Sequence, residues 1–183
     1  MRVISGFLQG RRLDARKGRA TRPTSGYLRE VLFDIFGDRV QNSHFLDLFA
    51  GTGAIGIEAI SRGARLVTFV EASPFCLRLI RENLKRLGIL GAGELIRGEA
   101  LRVLESLKAQ GRTYSLVYID PPYRGALAEE ALIALSSGNL LDNGGLVVVE
   151  HFHKKGLPEE IGCLRRVREC RHGQTKLSFY GKL

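Results

Sequence analysis

Phe45-Leu46-Asp47-Leu48-Phe49-Ala50-Gly51-Thr52-Gly53-Ala54-Ile55-Gly56 is the stretch that decides the fold. A short apolar strand runs into a glycine turn, and Ala54 opens a helix that stops near Gly63. Gly51 and Gly53 let the backbone approach a ligand closely, and the helix N-terminus offers unpaired N–H groups. The next strand, Leu66-Val67-Thr68-Phe69-Val70, ends in Glu71, about 20 residues after the first glycine. A carboxylate there can grip both hydroxyls of a ribose. A lone glycine motif marks many ordinary turns. Strand, glycine turn, helix, strand and terminal acid in that order read as a nucleoside-binding half-fold.

Charge decides which nucleoside. A dinucleotide brings a pyrophosphate, which wants positive potential at the glycine turn. S-adenosylmethionine brings no phosphate and carries a sulfonium cation, so it favours carboxylates. The strand tips carry Asp47, Glu71, Glu99 and Asp120, one acid for each of four successive strands. The sulfonium compound fits that pattern, with S-adenosylhomocysteine as its demethylated product. The candidate cofactor contacts are Asp47, Phe49, Gly51, Gly53, Glu71, Glu99 and Asp120.

The apolar run Leu116-Val117-Tyr118-Ile119 leads into Asp120-Pro121-Pro122-Tyr123. Neither proline can donate a ladder hydrogen bond, so the strand ends abruptly in a rigid turn. Such a turn suits a flat molecule bearing an exocyclic NH2. The Asp120 carboxylate and the Pro121 carbonyl can both accept from the amine while Tyr123 stacks on the ring. Asp120, Pro121 and Tyr123 are the candidate catalytic residues. His151 and His153 alternate on a strand, but no third ligand has matching spacing, so no metal is expected.

The other elements follow from periodicity. Leu28, Val31, Leu32, Ile35 and Phe36 recur as the stripe of an amphipathic helix ending at Gly37. Ser73-Pro74 is an N-cap followed by a first-turn proline, opening a helix that Gly88 closes. Glu94–Arg97 reads as a third strand, followed by a helix carrying Val103, Leu104 and Leu107. Ala126 to Leu135 is a helix and Leu146–Val149 a fully buried strand. Residues 164–169 and 176–180 form a closing pair of strands. Alternation of this kind predicts an α/β, doubly wound, mostly parallel sheet, with ligands beyond the carboxyl ends of its strands.

A chain of 183 residues with 44% hydrophobic content fits one domain with a proper core. No apolar stretch approaches the ~20 residues of a membrane span, and no secretory leader is evident. Cys76, Cys163 and Cys170 are odd in number and lack C-x-x-C spacing. They suggest a reduced, cytoplasmic chain, with Cys163 and Cys170 as buried strand residues. The net charge of +9 is unevenly spread: residues 1–29 carry +7, residues 30–150 carry −3 and residues 151–183 carry +5. Arg11, Arg12, Arg16, Lys17, Arg19 and Arg22 crowd into twelve residues, the density of a polyanion-binding arm. Arg2–Ser5 and Arg11–Leu13 flank Gly6–Gly10 as a small hairpin. Two parts are therefore expected: a basic RNA-binding hairpin and arm over 1–24, and a methyltransferase domain over 25–183.

Taken together, these residues resemble the RsmD family of bacterial ribosomal RNA methyltransferases. The likeness runs through Met1–Gly6, Gly10–Leu13, Arg22-Pro23-Thr24, Arg29-Glu30 and Leu32-Phe33. It continues through Asp47–Gly53 with Ile57–Ala59, Phe69–Glu71, Asn83-Leu84 and Asp120–Tyr123. It implies a Rossmann-like class I methyltransferase sheet of seven strands, one of them antiparallel. It also implies methyl transfer from S-adenosylmethionine to N2 of a guanine in 16S ribosomal RNA, of the guanine-966 type. The partner is then the small ribosomal subunit or its assembly intermediate, met by a monomer with no membrane association. Two positions depart from the family: Gly26-Tyr27 stand where Asp-Arg is usual, and Glu99 stands where Asp is commoner, still facing the adenine amine.

Three other readings share some of these features. A DNA or RNA adenine or cytosine amino-methyltransferase carries the same D-P-P-Y turn, usually with a larger recognition region. A protein-glutamine methyltransferase typically has Asn in place of Asp120. A non-catalytic RNA-binding module accounts for the basic ends and leaves both nucleoside motifs unexplained.

Overall fold

Apolar runs without helical spacing become the centre of a sheet, and the amphipathic segments between them become its covering helices. The computed structural model describes residues 1–14, 26–122 and 126–183. In chain order these are α1 (Gly26–Phe36), β1 (His44–Leu48), α2 (Ala54–Ser61), β2 (Leu66–Glu71), α3 (Pro74–Arg86) and β3 (Gly93–Arg97). There follow α4 (Ala100–Ala109), β4 (Tyr114–Ile119), α5 (Leu127–Ser136), β5 (Leu141–Phe152), β6 (Glu160–Ile161), β7 (Leu164–His172) and β8 (Thr175–Lys182).

The strands lie in the order β3-β2-β1-β4-β5-β8-β7-β6. Those from β1 to β5 are parallel, and β8 runs antiparallel to both β5 and β7. Among the described residues the sheet has eight strands rather than the expected seven, because the two-residue β6 adds an antiparallel edge beyond β7. Strand order reverses between β1 and β4, which opens a crevice at their carboxyl ends.

Side chains alternate across the sheet and feed two cores. Phe45, Phe69, Leu116, Tyr118, Val148 and Phe179 face α1 and α2. Leu46, Leu48, Val117, Ile119, Val147 and Val149 face α4 and α5. Helix α3 starts as expected: the Ser73 hydroxyl accepts the Cys76 amide at 3.4 Å, with Pro74 in the first turn. Helix α1 is rotated from its expected stripe. It buries Leu28, Arg29, Leu32, Phe33 and Phe36, leaving Val31 and Ile35 half-buried. Among the described residues no helix is long and apolar enough to cross a membrane.

The N-terminal hairpin forms around an antiparallel bridge between Arg2 and Arg12. Val3, Leu8 and Leu13 insert into the α1–α2 side of the core. Buried Glu58 accepts the amides of Ile4 and Ser5 at 2.8 and 2.9 Å. Ser61 takes the Leu8 amide on its hydroxyl and the Phe7 amide on its carbonyl. Asn83 pairs with both backbone groups of Asp14 at 3.0 Å. The expected boundary between residues 24 and 25 lies outside the described residues. Cys163 sits in the turn before β7, half-buried, its thiol donating to the Ser136 carbonyl at 3.1 Å, and Cys170 is half-buried on β7.

Candidate active site

The glycine turn connects β1 to α2 with three left-handed residues, Phe49 at φ +69°, Gly51 at φ +55° and Gly53 at φ +74°. A phenylalanine in that region stores strain, which the surrounding hydrogen bonds must hold. The Ala50 amide donates to the Val70 carbonyl, and the Gly51 amide to Glu71 Oε2 at 2.8 Å. Glu71 Oε1 accepts the Ser73 amide, also at 2.8 Å. Each Glu71 oxygen keeps a second lone pair for a ligand hydroxyl. At Gly56 a Cβ would fall 2.2 Å from the Phe69 ring, so only glycine lets α2 lie this close to β2. Glu99 is exposed just beyond the carboxyl end of β3, beside Gly98, whose amide reaches the Glu71 carbonyl at 3.3 Å.

Asp47 lies beneath the turn and is 1% exposed, its Oδ2 accepting the Gly56 amide at 2.9 Å. Burial, with a smaller push from Glu71, raises its pKa to about 7, against the pull of the Gly56 N–H. Across the crevice Asp120 follows β4. Its carboxyl is held well above the ordinary aspartate range, first by burial, then by Glu150 and Asp47. Desolvation and like charge both disfavour the anions, so a cation placed among them is stabilised in proportion.

Glu150 is a site residue that the sequence reading missed. It is 4% exposed on β5 and accepts a hydrogen bond from the Tyr118 hydroxyl. Ile119 pairs with Val149, so Glu150 stands level with Asp120, inside β5 where that strand runs on past the end of β4. A rule that looks for acids at strand tips does not single out Glu150, because β5 continues through His151 and Phe152 and only the end of β4 beside it puts this acid in the crevice. Pro121, Pro122 and Glu150 line one small cleft together with His151 and Lys155. A larger cavity of about 220 Å³ lies at the opposite, amino ends of the strands, where Arg112 and Glu94 pair at 2.5 Å.

The other candidates fall in two groups. Arg11 and Arg12 are exposed on the hairpin, which is fastened to the α2–α3 layer rather than to the strand tips. Tyr123, Arg16, Lys17, Arg19 and Arg22 lie outside the described residues. His151 is buried, with Nε2 2.8 Å from the Ser178 hydroxyl, and His153 Nδ1 is 3.1 Å from the Gln174 carbonyl. Among the described residues no group of three or more His, Cys, Asp or Glu side chains is placed to hold a metal ion. Arg29 was also unforeseen: it is buried on α1, and one terminal nitrogen donates to the Arg2 carbonyl at 3.1 Å.

A parallel sheet in the order 3-2-1-4-5, closed by an antiparallel strand, with a glycine turn and D-P-P at facing strand tips, defines an α/β methyltransferase fold. Residues 1–181 match the family model described as Conserved hypothetical protein 95, and the chain belongs to this family, the RsmD family. The Ribosomal RNA small subunit methyltransferase D of Escherichia coli is 32% identical over 180 residues, covering 98% of this chain and 89% of that protein. YlbH of Bacillus subtilis is 34% identical over 182 residues, covering 100% and 99%. The solved structure of yhhF from Escherichia coli matches with a TM-score of 0.89 at 32% identity, covering 100% of this chain and 97% of that one.

Proposed function

We propose that the protein transfers a methyl group from S-adenosylmethionine to the exocyclic N2 of a guanine in 16S ribosomal RNA, of the guanine-966 type. The observation that carries this reading is the facing pair of Asp47 and Asp120 across the β1/β4 crevice, both raised in pKa and joined there by Glu150. Such a group of acids suits a cation and disfavours a pyrophosphate. Membership of a family that includes the Escherichia coli ribosomal RNA small subunit methyltransferase D supports RNA as the acceptor.

When bound, S-adenosylmethionine supplies an electrophilic methyl group on a sulfonium. Glu71, with its spare lone pairs, would hold the ribose hydroxyls, and the left-handed Gly51 and Gly53 would present the turn's backbone to the cofactor. Phe49 and Glu99 would flank its adenine. Asp120 and the Pro121 carbonyl accept the two N–H bonds of the guanine amine, fixing its nitrogen in line with the methyl group. As the N–CH3 bond formed and the S–CH3 bond broke to leave S-adenosylhomocysteine, the Asp120 carboxylate would stabilise the positive charge on that nitrogen and take up the proton it sheds, passing it to solvent. Tyr123 stacks on the base and offsets the few kcal/mol spent in unstacking it. The setting is the cytoplasm, with the small subunit or its assembly intermediate as partner and the enzyme acting as a monomer.

The deciding experiment incubates the protein with methyl-labelled S-adenosylmethionine and unmodified small subunits, then maps the labelled nucleoside. N2-methylguanosine in 16S RNA is expected. Label in adenine or cytosine would overturn the substrate assignment.

A further inference from the structure

We infer that Tyr27 and His172 form a base-stacking platform for single-stranded RNA on the rim of the active site. The inference rests on the reading of RNA as substrate and adds a subsite to it. Strand β8 is antiparallel to β5, with Thr175 beside Phe152, and His172 of β7 pairs with Thr175. The β7–β8 turn therefore lies at the carboxyl ends of the parallel strands, on the same rim as Asp120 and Glu150. His153 fastens it there, its amide donating to the Gln174 carbonyl at 2.8 Å. Helix α1 begins at this rim as well, because the Tyr27 ring lies against His172 with centroids 4.6 Å apart and planes at 37°.

Both rings face outward: Tyr27 is 58% exposed and His172 is exposed. An exposed aromatic pair held by the fold offers a ring face on which any nucleobase can stack. The charge around it suits a polyanion. Residues 151–183 carry +5, and the hairpin's acid, Glu169, is engaged by Lys176 at 2.6 Å and by the Ser178 hydroxyl at 3.1 Å. Arg171 is exposed at the turn, where its Nε donates to the Gly173 carbonyl at 2.9 Å. Three strand spacings separate β4 from β7, about 14 Å. His172 also lies two residues, about 7 Å, further along the strands than Asp120, so the span is about 16 Å, roughly five stacked nucleotides at ~3.4 Å each, and one strand can reach both.

The chain has no tryptophan, so Tyr27→Trp creates a single fluorescent reporter at the platform. Titration with a short single-stranded RNA is expected to quench it strongly, and inorganic polyphosphate weakly. Equal quenching by the two, or none by RNA, overturns the platform. In steady-state methyl transfer, Tyr27→Ala is expected to raise KM for RNA about tenfold. Affinity for S-adenosylmethionine should hold, and Tyr27→Phe should restore KM. If the wild type methylates RNA and Tyr27→Ala leaves KM unchanged, the platform is wrong and the substrate reading stands. If the wild type methylates no RNA while single-stranded RNA still quenches the reporter, the substrate reading fails and the platform stands.

Discussion

Asp47 accepts the amide of Gly56 at 2.9 Å from a position with 1% exposure, so the carboxyl that braces the glycine turn is also buried beneath it. Its pKa of about 7, against an ordinary 3.8, means the folded state binds a proton that the unfolded state has released. Stability from this group is full below pH ~4 and is lost as pH rises through 7. The loss is on the order of 4 kcal/mol. Asp47→Asn keeps an acceptor for Gly56 and has nothing to ionise. Urea melts of the ligand-free protein should show the variant gaining on the wild type from pH 5 to pH 8, with no gain at pH 4.

The same raised carboxyls link cofactor binding to pH. A sulfonium favours the ionised forms of Asp47 and Asp120, so its binding should release protons, and affinity should increase as pH rises from 6 to 8. Calorimetry in buffers of different ionisation enthalpy reads that release directly. Glu71→Ala should weaken binding by ~1–3 kcal/mol through loss of charged hydrogen bonds. Affinity that is independent of pH would remove the electrostatic account of this site.

What the sequence made legible is whatever short-range chemistry decides. The glycine turn, the Ser73-Pro74 helix start and the D-P-P stop each depend on residues a few positions apart. The tip acids Asp47, Glu71 and Asp120 followed from strand ends. Partner-dependent features did not show. Periodicity placed Leu28, Leu32 and Phe36 on one side of α1, but nothing local says that Arg29 and Phe33, rather than Val31 and Ile35, turn inward. Glu58 reads as an ordinary helical acid until the hairpin amides arrive from more than fifty residues away. Glu150 matters because β5 lies beside β4, and that adjacency belongs to the topology.

Burial is the first cause of the raised Asp120 pKa, and Glu150 adds to it through repulsion. Glu150→Gln should lower the Asp120 pKa and move the acid limb of the kcat/KM profile for methyl transfer to lower pH. The Tyr118 hydroxyl can still donate to the amide oxygen, so folding should hold. Asp120→Ala should abolish transfer while changing cofactor affinity only a few-fold. A pH profile unmoved by Glu150→Gln would separate the two carboxyls.

Glu58 joins the N-terminal hairpin to α2. Truncation to Ala leaves the Ile4 and Ser5 amides and the Arg62 guanidinium without their acceptor. Two orphaned amides cost about 1–3 kcal/mol each, so chemical denaturation should show a loss of about 2–6 kcal/mol. Protease nicking within the first fourteen residues should accelerate in parallel.

The last expectation concerns the basic segment. Residues 1–29 carry +7 against −3 for residues 30–150, so the segment is expected to supply most of the nonspecific RNA affinity. With four or five phosphate contacts from Arg11, Arg12, Arg16, Lys17 and Arg19, log affinity should fall against log salt with a slope of about −3 to −4. Changing Arg11, Arg12, Arg16 and Lys17 to Ala should flatten it by ~2–3 units. The hairpin bonds to Glu58, Ser61 and Asn83 come from the backbone of residues 4–14, so the exposed Arg11 and Arg12 side chains can be removed with those bonds intact, and cofactor affinity should hold. An unchanged slope would shift the electrostatic work to the β7–β8 rim. Equal losses of RNA and cofactor binding would mean that the segment packs over the cofactor site instead of reaching for the RNA.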